Sequence, residues 1–322
     1  MNRRLLLNGL AALTAFRASS SAARQRTTPV IGILGEGNPE DRAIAHNLAM
    51  FRRGLRQEGF IDGQNVDLVY RWARNRPERL PALADELVAL AVDVLVNEGG
   101  TITALQAKKA TSTIPIVFHA SNAIADGLVD TLARPSGNLT GVSQFTTETL
   151  TKAYQLLGQV VPTAKGFALV STGQAPSVTD RVLQDIRATT PLPVREFTVD
   201  SDADLEAAFT QLKATLSAAI VFTNVNHAAR LVGAAARHRV PAVYNQRAFV
   251  EAGGLMSYGA SIPASYVIKG LYAGRILKGA KPHDLPVQQP SRFELALNLG
   301  TAQSLGLAVP QSILLTADEV ID

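Results

Sequence analysis

The stretch that decides the fold is VIGILGEG, residues 30–37. Val30 to Leu34 is an uninterrupted apolar run, rich in β-branched residues and too short for a helix, the pattern of a strand buried on both faces. It ends in Gly35-Glu36-Gly37, and an amphipathic segment follows from about Glu40 to Glu58, with Gly59 as its C-terminal stop. A buried strand that passes through a glycine loop into a helix opens a βαβ unit.

The same unit recurs down the chain. The turn Asp62-Gly63 leads into a strand from Val66 to Trp72, and Pro77 opens a helix from Glu78 to Leu90. Strands are predicted over Val92–Val96 and Ile114–Phe118, with a helix over Thr101–Thr111 between them. A second set starts past Asn138. Its extended segments are 139–145, 166–170, 194–198, 219–222 and 240–243, and its helices span 147–160, 178–189, 203–216 and 226–237. Two such sets of similar size imply an α/β protein of two doubly wound parallel-sheet lobes.

What remains is too little for a third lobe: an extended piece at 253–259, a helix at 264–277, a strand at 293–298 and a helix near 301–305. The chain is therefore expected to return to the first lobe and cross back. The first lobe would comprise residues 28–140 with 256–285, and the second 141–255 with 286–322. Several crossovers between two lobes make a hinge, and hinge closure can bury a ligand.

Composition narrows the function. The chain has 322 residues, 47% hydrophobic and 18% charged, enough for a sizeable core. The net charge is +4, but Lys and Arg are scattered without a basic run or aromatic stripe, so no nucleic-acid partner is expected. No cysteine is present, which removes thiol catalysis, disulfides and Cys-ligated metal. The five histidines are far apart in sequence, with no pair at ligand spacing, so no metal is expected. Asn2-Arg3-Arg4, the apolar segment Leu5 to Phe16 and the small residues Ser21-Ala22-Ala23 read as an export signal over residues 1–23, cleaved near Ala23. No cysteine follows it to carry a lipid anchor, so the product is expected free in the periplasm. Arg3-Arg4 leaves both the general and the twin-arginine export routes open.

In open α/β sheets ligands bind beyond the carboxyl ends of the strands. In lobe one those ends supply Gly35 and Glu36, then Glu98, Gly99, Gly100 and Thr101, then His119, Ser121 and Asn122. Lobe two supplies Thr172, Thr223, Asn224 and Asn245, and Ser143 and Tyr258 complete the candidate ligand contacts. Most are small and neutral, suited to hydrogen-bonding a ligand rather than to acid–base work. Glu36 and Glu98 read as amine acceptors or as solvated loop charges, and His119 as a polar lining residue. No catalytic residue is assigned: neither a G-x-S-x-G elbow nor a phosphate-binding P-loop occurs. Gly35-x-Gly37 lacks the third glycine of a dinucleotide fingerprint, so no cofactor is expected.

Several stretches together resemble a known family. They include the strand at 29–34, FRRGLRQEG at 51–59, Tyr70-Arg71-Trp72, IPIVF at 114–118 and RPSGNLTGV at 134–142. GGLMSYG at 253–259, GRILKG at 274–279, LPVQQP at 285–290 and Phe293-Glu294-Leu295 extend the likeness over nearly the whole mature chain. The chain resembles the periplasmic ABC-transporter substrate-binding family that includes tryptophan-binding proteins, of type I periplasmic-binding fold. That resemblance implies a non-enzymatic component of an importer, partnered by an ABC permease and holding an amino acid or an aromatic or small carboxylate; the chain is expected to be a monomer. A sensor domain or a periplasmic hydrolase using His119 are the alternatives. The resemblance places ligand loops at Glu98–Thr101, His119–Asn122, Thr223-Asn224 and after Tyr244. The family often has small hydroxyl residues where this chain has Gly35-Glu36-Gly37, and an aspartate where Asn122 stands.

Overall fold

Val30–Gly35 forms strand β1, buried along its whole length because both faces are covered. Val30 and Leu34 point into one apolar cluster and Ile31 and Ile33 into another, the alternation that a pleated strand imposes. The computed structural model describes residues 28–144, 146–171, 176–222 and 227–322. The expected export signal lies outside the described residues.

Among the described residues, β1 joins β2 (Asp67–Trp72), β3 (Val94–Glu98), β4 (Ile116–Ala120) and β5 (Leu139–Ser143) in a parallel sheet of order β2-β1-β3-β4-β5. One face is covered by α2 (Leu80–Ala89) and α3 (Thr101–Ala110), the other by α1 (Arg42–Gln57) and α9 (Ile262–Leu277).

The second sheet has the order β12-β11-β10-β9-β8-β6-β7. Its strands are β6 (Gly166–Ser171), β7 (Val194–Thr198), β8 (Ser217–Phe222), β9 (Ala242–Tyr244), β10 (Met256–Ala260), β11 (Phe293–Asn298) and β12 (Glu319–Ile321). All pairings are parallel except β10 with β11. Its helices are α4 (Thr146–Val160), α5 (Pro176–Thr189), α6 (Asp202–Ala214), α7 (Ala228–His238), α8 (Arg247–Glu251), α10 (Leu299–Leu305) and α11 (Gln311–Thr316). The sequence reading did not anticipate α8, α11 or β12, each of six residues or fewer.

The chain passes between the two sheets three times. It leaves the first after β5, since α4 packs on β8, β9 and β10. It returns after β10, since α9 packs on α1 and on β3, β4 and β5. The third passage runs beside β5, where Gln288 N donates to Gly141 O and Ser143 N to Gln288 O, both at 2.9 Å. The expected lobe boundaries differ from these passages by a few residues. Residues 140 and 141 both lie within β5, and β10 pairs in the second sheet, so the return begins with α9 rather than at residue 256.

Candidate functional site

Because its strands are parallel, the first sheet gathers its candidate residues at one edge. Glu36, one residue past β1, donates its backbone N–H to Glu98 O at 3.0 Å, joining the loops that follow β1 and β3. Gly35 has no room for a side chain: a Cβ there would fall 2.1 Å from the Trp72 ring. Gly99 turns the chain at φ +134°, a conformation that favours glycine, and Gly100 begins α3 without offering it a side-chain cap. The positive end of α3 therefore faces this edge, where Thr103 Oγ1 lies 3.5 Å from Glu36 Oε2.

Asn97, fully buried, fixes the loops to one another. Its Oδ1 accepts from His119 N at 2.8 Å, and its Nδ2 donates to Gly100 O at 3.0 Å and His119 O at 3.1 Å. Thr101 Oγ1 donates to Asp126 Oδ2 at 2.8 Å and accepts from Ser121 N at 3.1 Å. Asn122 N donates to the same Asp126 oxygen, also at 3.1 Å. Ser143 is buried, and its Oγ accepts from Ala123 N at 3.0 Å. The hydroxyls of Thr101 and Ser143 thus shape the loops.

The buried ionisable groups lie on the α9 side of the same edge. The Glu98 carboxylate accepts from the Tyr266 hydroxyl at 3.0 Å, and Lys269 Nζ donates to Asn97 O at 2.6 Å. The Lys269 ammonium also sits 3.8 Å from the Tyr266 ring centre, a cation–π contact. Burial raises the Glu98 carboxyl and lowers the Lys269 ammonium, and each partner opposes the shift of the other. His119 Nδ1 lies 3.4 Å from Gly99 O; a carbonyl only accepts, so Nδ1 carries the proton. Burial pushes this imidazole down to about 4, so it is neutral at physiological pH.

Sequence reasoning missed Tyr266 and Lys269. The signal was present: the inward positions of α9 include Tyr266, Lys269, Ala273 and Ile276, a helical stripe with a lysine in it.

In the second lobe Thr172, Thr223 and Asn224 lie outside the described residues. Asn245 directly follows β9, and Gly259 of β10 packs against its carbonyl. Tyr258 is half-buried and stacks on Phe293 with ring centres 6.0 Å apart. The structure thus brings Gly35, Glu36, Glu98, Gly99, Gly100, Thr101, His119, Ser121 and Asn122 to one edge. Backbone amides, one carboxylate and a neutral imidazole there can grip a polar ligand. Among the described residues no three His, Cys, Asp or Glu side chains are grouped to hold a metal ion. No helix among them is long and apolar enough to cross a membrane.

The profile of a family described as ABC transporter substrate binding protein matches residues 40–321. A tyrosine-binding protein of Clostridioides difficile is 24% identical over 263 residues, covering 80% of this chain and 75% of the relative. An ABC domain from Streptococcus pneumonia, solved in complex with L-Trp, is 24% identical with a TM-score of 0.81, covering 91% of this chain and 100% of that one. A conserved domain protein from Vibrio cholerae is 23% identical with a TM-score of 0.82, covering 91% and 99%. The last two share the two-lobed fold.

Proposed function

Given that this chain belongs to the ABC transporter substrate-binding protein family, a family of solute binders rather than of enzymes, we propose that it is the periplasmic binding component of an importer. It closes two lobes on one small organic ligand, an amino acid or an aromatic or small carboxylate, and delivers it unchanged to an ABC permease. The observation that carries this reading is the first-lobe edge, where Glu36, the amino end of α3 and His119 converge. A carboxylate suits the amino end of α3, and an amine suits Glu36. The tyrosine-binding relative and the fold shared with an L-Trp complex support an aromatic amino acid. Export rests on residues 1–23, and the mature protein acts as a monomer.

A thermal-shift screen of the mature protein against amino acids and aromatic acids tests this. A true ligand stabilises by RT ln(1 + [L]/Kd), so the melting temperature climbs with concentration. No shift with any of these compounds would count against the proposal.

A further inference from the structure

Lys269 is completely buried, and no hydrophobic role calls for an ammonium there. It projects from α9, the helix by which the chain re-enters the first lobe after β10. Two turns into that helix, its Nζ holds the carbonyl oxygen of Asn97, the residue whose side chain fastens β3, β4 and the start of α3. One turn earlier, Tyr266 holds the Glu98 carboxylate. Polar groups gather here from four elements: Glu36 after β1, Asp41 and Asn47 at α1, Glu98 on β3 and His119 on β4. Lys269 is the cation among them.

We propose that Lys269, with Tyr266, is the positioning residue of the loop Asn97–Thr101, fixing it to the helix that joins the lobes and neutralising Glu98 beneath it. In this arrangement Glu98 is turned toward α9 as a counter-charge, and Glu36 remains as the carboxylate that meets the ligand. Movement of β10 relative to the first sheet reaches α9 directly, so the same contacts link lobe closure to loop geometry. The loop's role in ligand binding rests on the function proposed above; its attachment to Lys269 does not.

Amide hydrogen exchange of the unliganded protein tests the attachment without any ligand. Lys269→Met keeps the length of the side chain and removes its charge. It should speed exchange across residues 97–104 about tenfold, the effect of losing a charged hydrogen bond, and leave α6 and α7 unchanged. Adding Glu98→Gln should restore part of the protection, because the second change removes the uncompensated carboxylate, while the lost bond to Asn97 O keeps exchange faster than in wild type. Tyr266→Phe, which retains the ring packing, should loosen the same segment to a smaller degree and remains informative if Lys269→Met does not fold. Unchanged exchange at 97–104 in Tyr266→Phe and Lys269→Met, or a double variant no better protected than the single one, would overturn the proposal. If the loop responds as stated but wild-type protein binds neither L-tyrosine, L-tryptophan nor benzoate, the functional reading suffers and the positioning role stands.

Discussion

Gly54 of α1 and Gly270 of α9 face each other at the crossing of the two helices. A Cβ on Gly54 would fall 2.1 Å from Val267 O, and one on Gly270 would fall 2.1 Å from Phe51 O. Only backbone fits there, and the close approach brings the neighbouring Lys269 within reach of Asn97. Either Gly54→Ala or Gly270→Ala forces the helices apart. Each should cost about 1–3 kcal/mol or more by denaturant unfolding, as overpacking a tight contact does. Wild-type stability in both variants would show that the crossing can relax.

Glu36 should discriminate among ligands by their amino group. Glu36→Gln retains the shape of the side chain and removes its charge. Affinity for an amine-bearing ligand such as L-tyrosine should fall about tenfold or more, the value of one charged hydrogen bond. Affinity for an amine-free analogue should change little. Isothermal titration calorimetry on both ligands decides it, and equal losses would remove Glu36 from the amine site.

Asp126 organises the His119–Asn122 loop without needing to touch ligand. Its Oδ2 takes hydrogen bonds from Thr101 Oγ1 and Asn122 N. Asp126→Ala leaves both donors unpaired and should lower stability by about 1–2 kcal/mol. Ligand affinity should fall with it, measured in the same preparation. Unaltered affinity would show that the loop keeps its shape by other means.

His119 gives the protein a specific weakness in acid. Its folded pKa, about 4, lies below the ordinary value of 6.5, so the unfolded chain takes up a proton first as pH falls. The native state therefore loses stability between pH 6.5 and 4. Glu98, raised by burial, has the opposite slope above its ordinary value, so the wild-type curve alone is a mixture. His119→Gln should lose less stability than wild type across that interval in urea titrations. Equal losses in both proteins would place the imidazole in a more solvated setting.

How much of this was legible in the sequence depended on how local each signal was. The strand at Phe293–Asn298 matches its expected bounds to the residue, because a short, mostly apolar segment between proline and glycine punctuation has few alternatives. Lobe-one candidates followed from the rule that ligands sit past the carboxyl ends of strands. Short elements such as α11 and β12 exist through packing against the second lobe and leave little periodicity to read. The Lys269 arrangement was missed for a different reason. Its partner Asn97 is 172 residues away, and a single lysine in an apolar stripe does not say what it faces.

In the proposed function this protein grips one small molecule between its lobes and releases it unaltered. Calorimetric titration of the purified protein with L-tyrosine, L-tryptophan and benzoate, followed by chemical identification of the recovered ligand, is the decisive measurement. Saturable binding of one ligand molecule per chain is expected for at least one of these compounds, with the ligand recovered intact. No binding by any of the three, or recovery of a chemically changed product, would contradict it.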